Sequence, residues 1–145
     1  MVDFTKHLNI GLDAAKTAED NRAEIDAVFD ELNKQLLAAT EGKVQIQRKE
    51  FRDGWQFTKN FQPVTYFALA VCSTIPTVNP TEIAKWNMAR SGYPCEIELA
   101  GNGKWYCEDR KGLETAFGTL LQDPLVGETI QKYMRMPDRR NSAES

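Results

Sequence analysis

The run Gly92-Tyr93-Pro94-Cys95-Glu96-Ile97-Glu98-Leu99-Ala100-Gly101-Asn102-Gly103-Lys104-Trp105-Tyr106-Cys107 decides how this chain folds. Two alternating segments flank Gly-Asn-Gly, a turn sequence in which glycine accepts positive φ, so the run reads as a β-hairpin. Cys95, Ile97 and Leu99 fall on one side, and Trp105 and Cys107 continue it. Glu96 and Glu98 fall on the other side, joined by Tyr106 and Glu108. One side therefore needs a cover and the other is suited to water.

Working outward, the chain downstream offers that cover. Asp109 is placed to cap a helix whose Leu113, Phe117, Leu120 and Leu121 form an apolar stripe. Asp123-Pro124 restarts the chain as a second short helix ending near Arg135, and the polar residues 137–145 are expected to be a disordered tail. Upstream, Asn79-Pro80-Thr81-Glu82 has the cap, first-turn proline and returning carboxylate of a helix start, and Ile83, Trp86 and Met88 would supply its apolar surface up to Gly92. Val64–Thr74 is apolar on both faces between Pro63 and Pro76, as a central strand is. Lys43–Phe51 and Trp55–Phe61 flank Arg52-Asp53-Gly54, which reads as an earlier hairpin. Ala18, Ile25, Val28, Phe29, Leu32 and Leu36 recur at helical spacing before Gly42, which predicts a helix from about Asp13 or Thr17 to about Thr40. The expected fold class is α+β. Residues 1–136 form one domain, with a single antiparallel sheet of about five strands in the order helix-strand-strand-strand-helix-strand-strand-helix-helix and helices mainly on one face.

Composition narrows the function classes. The 145 residues are 41% hydrophobic and 27% charged, which suits a packed soluble domain. No apolar run reaches the roughly 18 residues of a membrane span, and Met1–His7 lacks the pattern of a signal peptide. A net charge of −3 argues against a dedicated nucleic-acid binder. Cys72, Cys95 and Cys107 are too few and too irregular for a disulfide scaffold, so they are expected to be reduced, buried thiols in a cytoplasmic protein.

The usual catalytic constellations are missing. The one histidine, His7, lies on a segment expected to be mobile, far in sequence from any cysteine, so neither a Cys-His dyad nor a zinc site is read. Gly101-x-Gly103 is a hairpin turn, not a dinucleotide fingerprint, because no helix opens after it. No catalytic residue, metal or cofactor is predicted. A thiol-dependent enzyme remains the least favoured reading.

One binding surface is predicted instead, with a second, which requires a three-residue turn with a bulge at Arg52-Asp53-Gly54, as the alternative. The first is the acidic hairpin face. There Glu96, Glu98 and Glu108 orient a protein partner and Tyr106 anchors it, with Glu24 and Glu31 of the first helix as secondary contributors. The second is an aromatic and basic face of the earlier hairpin. Lys49, Trp55, Phe57 and Lys59, beside Phe51, would meet phosphates and stack bases of a single-stranded nucleic acid. Lys132, Arg135, Arg139 and Arg140 form a basic C-terminal stretch; the first two suit a helix C-terminus, and Arg139 and Arg140 are a weak candidate for a polyanion contact. A homodimer through Trp86, Trp105 or a sheet edge is a further expectation. The small size and mild acidity are similar to those of bacterial accessory proteins such as nuclease inhibitors and immunity proteins, a resemblance carried by no residue motif. It implies an adaptor or inhibitor, not an enzyme.

Overall fold

In the computed structural model, residues 1–57, 61–99, 101 and 103–137 are described. Helix α1 (Phe4–Ala39) is followed by strands β1 (Val44–Phe57), β2 (Pro63–Ser73), β3 (Thr81–Ala89), β4 (Gly92–Leu99) and β5 (Gly103–Cys107). Helices α2 (Arg110–Leu121) and α3 (Pro124–Met134) close the chain. The five strands form one antiparallel meander in the order β1-β2-β3-β4-β5. The α+β class and its five-stranded antiparallel sheet are as the sequence predicts.

Two elements differ from expectation. The segment after Asn79-Pro80 is a strand, so among the described residues the order is helix, five strands, two helices, with no helix between the strands. Its capping signals are local, whereas Ala84 and Trp86 are buried in alternation with exposed Lys85 and Asn87. That period of two is satisfied by neighbours on both sides, and tertiary pairing overrides the cap. The other difference is at Arg52-Asp53-Gly54. No turn occurs there: β1 runs through it and pairs with β2 from Val44↔Ser73 to Asp53↔Val64, with a register shift before Phe57↔Pro63. Gly54 keeps a negative φ, and the apolar 63–73 segment offers a partner long enough to keep β1 extended.

The hairpin that anchored the reading is present. Cys95 faces Cys107, Ile97 faces Trp105 and Leu99 faces Gly103 across β4 and β5, and Gly101 and Gly103 both take positive φ. Its apolar side belongs to a core shared by Ile46, Leu69, Val71 and Trp86 of the sheet, Ile25 and Phe29 of α1, and Leu113, Phe117 and Leu120 of α2. Phe29 sits at its centre, with edge-on contacts to Trp86 at 5.3 Å and Phe117 at 4.9 Å between ring centroids. The Arg48 guanidinium lies 4.3 Å above the Phe29 ring and reaches Asp26 at 2.6 Å, which places a cation on the covered face without leaving it unpaired.

Helix ends and the sheet edge are closed by named side chains. Asp109 accepts from the Gly112 amide in the first turn of α2, as its position before the apolar stripe predicted, and Asp123 accepts from the Leu125 and Val126 amides where Asp123-Pro124 restarts the chain as α3. Thr40, itself buried, donates to Leu36 and accepts from the Val44 amide, which turns α1 into β1. Asn33 closes part of the outer edge of β1: its amide donates to the Ile46 carbonyl at 2.9 Å and accepts from the Ile46 amide at 2.8 Å. A helix side chain thus supplies what a sixth strand would. Tyr133 of α3 donates to the Asn79 carbonyl at 2.7 Å and lies 2.6 Å from Thr81 Oγ1, fixing the β2–β3 connection.

α1 starts nine or more residues earlier than predicted. Asp3 caps it through the Lys6 amide, and the helix continues to Ala39. His7 therefore lies on a helix, exposed to solvent.

Candidate functional site

The strand alternation that buries Ile97 and Trp86 turns the neighbouring residues to the opposite side of the sheet. Register assigns Lys85, Asn87, Glu96, Glu98, Lys104 and Tyr106 to this open face. Two cross-strand rows result: Lys85–Glu98–Lys104 and Asn87–Glu96–Tyr106. Lys104 reaches Glu96 at 3.7 Å and lies 5.9 Å from the Tyr106 ring centre. Tyr106 is 64% exposed, unusual for a large ring on a regular strand.

The carboxylates are therefore not a uniform acidic field. Glu98 is flanked by a lysine on each side, and Glu96 pairs with Lys104. The face alternates in sign around an exposed aromatic. Such a pattern specifies register and orientation more than long-range attraction.

Beyond the hairpin, β2 and β3 pair only from Ala68↔Lys85 to Val71↔Thr81. β2 continues along β1 while β3 continues along β4, so the sheet forks. A cleft of about 370 Å³ opens there, lined by Tyr66, Phe67, Asn87, Glu96, Lys85 and Glu98 among others. Phe67, one of the lining residues, is 55% exposed. Tyr66 stacks on Phe51 with 6.0 Å between ring centroids and has Lys85 Nζ 5.7 Å from its ring. Interaction of the Tyr66 phenol with the Glu82 carboxylate, with some burial and the charges of Glu82 and Asp53, raises its pKa from 10.0 to about 12.

The predicted residues divide accordingly. Glu96, Glu98 and Tyr106 share the open face, whereas exposed Glu108 lies beyond the end of β5, next to the Asp109 cap. Glu24 and Glu31 belong to α1, on the covered side. Glu24 accepts from the Tyr93 hydroxyl at 2.7 Å, and Glu31 accepts from Gln35 at 2.9 Å. Burial and the bond to Glu24 raise the Tyr93 pKa. Glu24 thus ties α1 to β4.

Of the aromatic and basic set, Lys49 is exposed and, with Phe51, falls on the open face by its pairing with Ala68. The backbones of Trp55 and Phe57 lie in β1, but their side chains, together with Lys59, lie outside the described residues, as do Arg139 and Arg140. The dimer expectation through the indoles needs correction: Trp86 is only 6% exposed and Trp105 is partly buried, because both side chains face the helices.

All three cysteines are buried and free. Cys95 and Cys107 are cross-strand partners, and their mutual hydrogen bond together with burial pushes the Cys95 thiol up. Burial likewise raises Cys72. Among the described residues, no three His, Cys, Asp or Glu side chains converge on a metal-sized site, and no helix is long and apolar enough to cross a membrane.

Sequence reasoning missed Lys85, Asn87 and Tyr66 as neighbours of the hairpin acids. The signal was present in Ala84-Lys85-Trp86-Asn87-Met88, whose strict alternation competes with the Asn-Pro cap before it. The structure defines an α+β protein with three helices on one side of its sheet and a cleft on the other. No protein-family model matches the chain, and neither a curated protein nor a solved structure matches it.

Proposed function

We propose that this protein is a non-enzymatic cytoplasmic binding protein, an adaptor or inhibitor, that receives a protein partner on the open face of its sheet. The observation that carries the reading is the exposed ring of Tyr106 set among alternating lysines and glutamates on the side away from the helices. A rigid aromatic ringed by oriented charges is the usual composition of a contact centre. Glu96 and Glu98 would fix the partner's orientation, Tyr106 would enter it, and Glu108 would contribute at the rim. Three buried, free thiols support a reducing compartment.

The reading is tested by comparing proteins captured from native host extract by the unaltered chain, by Tyr106→Ala and by Glu98→Lys. A protein retained by the first and lost from both variants, with the thermal midpoint unchanged, supports the assignment. Equal recovery by all three refutes it. The second reading, single-stranded nucleic acid, rests on the stacked Phe51–Tyr66 pair beside Lys49 and Lys85. Its mark is a salt-sensitive, saturable quench of tryptophan fluorescence with mixed oligonucleotides.

A further inference from the structure

Every residue from Met1 to Thr17 is exposed, although α1 begins at Phe4. The first hydrogen bonds from α1 to the sheet come from Asn21, which donates to the Ser91 carbonyl at 3.1 Å, and Arg22, which donates to the Arg90 carbonyl at 2.7 Å. The helix therefore projects about 25 Å beyond its last support. It is continuous with a packed helix, so the costly nucleation step is already met.

Most apolar residues of this arm fall on one stripe; Ile10, 60% exposed, lies off it. Phe4, Leu8, Gly11, Ala15 and Ala18 recur at alternating spacings of four and three, the repeat that keeps one stripe facing a partner helix. After Arg22, which occupies the next seam position and donates to the Arg90 carbonyl, the repeat resumes through Ile25, Phe29, Leu32 and Leu36, which pack in the core. One seam thus runs the length of α1, covered in its second half and bare in its first. Phe4 is 76% exposed, Leu8 59% and Leu12, at the seam's flank, 57%. The charged side chains of the arm, Asp3, Lys6, Asp13 and Lys16, all fall at positions remote from the seam.

We propose that the arm is a self-association element, pairing antiparallel with the arm of a second copy about a two-fold axis between Asn9 and Ile10. The argument is the order of sizes. In that register Phe4 meets the partner's Ala15 and Leu8 meets the partner's Gly11. Every large seam residue falls on a small one, which allows close approach without voids. A parallel pair would stack Phe4 on Phe4 and leave a gap at Gly11. Antiparallel helix dipoles also attract. The two bodies begin at Asn21, just past the paired segment, so they sit at opposite ends about 35 Å apart and do not collide. A seam of this length on two helices buries on the order of 1,000 Å², the lower bound for a specific interface. The dimer is therefore reversible and concentration-dependent. The pairing is independent of what binds the open sheet face.

The test is sedimentation equilibrium of the full chain from micromolar to submillimolar concentration. The weight-average mass should rise from 16.4 kDa toward twice that value, and Leu8→Glu should hold it at the monomer while helix content and thermal midpoint stay unchanged. Orientation is read by disulfide trapping between differently tagged chains carrying Phe4→Cys and Ala15→Cys. Only the mixed pair should cross-link. A monomer at all concentrations overturns the proposal, as does a dimer that survives Leu8→Glu or self-linking of Phe4→Cys chains. Vesicles of neutral and anionic phospholipid provide the remaining arm: an unaltered chain that stays monomeric and binds them through Leu8 has a membrane-seeking helix instead.

Discussion

Gly92→Ala separates two costs that usually arrive together. Gly92 holds φ at +93° in the turn between β3 and β4. A Cβ there would lie 2.7 Å from Asn21 Cβ and 3.2 Å from the Arg22 amide nitrogen. Left-handed backbone costs an L-residue about 1–2 kcal/mol, and forcing an extra methyl into a packed contact costs about 1–3 kcal/mol. Alanine recovers about 0.4–1 kcal/mol by stiffening the unfolded chain, so the net loss is about 1–4.5 kcal/mol. Gly101→Ala is the matched control: φ is +82° but nothing lies within 4 Å of the new Cβ. It should lose about 1.5 kcal/mol at most by the same two backbone terms. Urea unfolding followed by tryptophan fluorescence measures both, with unchanged m-values required for the comparison. Equal midpoints for the two variants would refute the claim that close approach of α1, not turn geometry alone, requires glycine at position 92.

Four further outcomes are expected. Asn33→Ala leaves the Ile46 amide and carbonyl without their side-chain partner and should cost about 1–3 kcal/mol in the same assay, with more aggregation from the reopened edge. Tyr66 should ionise near pH 12, and Glu82→Gln should return its transition toward 10.0, read as the absorbance difference at alkaline pH between each chain and its Tyr66→Phe counterpart. Because folding raises this pKa, the neutral phenol's contribution to stability is complete below pH 10 and is lost between 10 and 12. Tyr133→Phe removes the hydroxyl that holds Asn79 and Thr81 and should destabilise by about 1–2 kcal/mol without altering the open face. The three cysteines should resist a soluble disulfide reagent in native buffer and react in urea, since all are buried; prompt native reaction would revive the thiol-dependent reading.

How much of this was legible in the sequence depends on whether the signal was local. The β4–β5 hairpin, the Asp109 and Asp123 caps and the stripes of α1 and α2 combine period, turn and cap in one segment, and all are present. Asn79-Pro80 and Asp53-Gly54 are equally good local signals, yet each lost to pairing with a strand distant in sequence. The candidate site suffered from the same error. Reading 81–89 as helix removed Lys85 from beside Glu98, and with it the charge compensation that changes an acidic patch into an alternating one. The arm of α1 escaped because its seam contains glycine and alanine at the positions where large residues usually declare a stripe.

The two surfaces differ in what their physics permits. Across the hairpin part of the open face Glu98 lies between Lys85 and Lys104 and Glu96 pairs with Lys104, so that region selects a partner by geometry. The arm exposes phenylalanine and leucine with no such compensation, so it gains most from the commonest apolar partner of matching shape, an identical arm. If both surfaces are used, a dimer joined through α1 carries two sheet faces at opposite ends of a stiff helical pair. A partner with two recognition sites would then be held far more tightly than by one face, provided its spacing matches the span. Leu8→Glu should reduce capture of such a partner while leaving the affinity of a single face unchanged. Tyr106→Ala should abolish single-face binding while leaving the chain dimeric. A loss of single-face affinity in Leu8→Glu would mean that the arm belongs to the binding site itself, because a monomeric variant with an intact face has no other reason to bind less well.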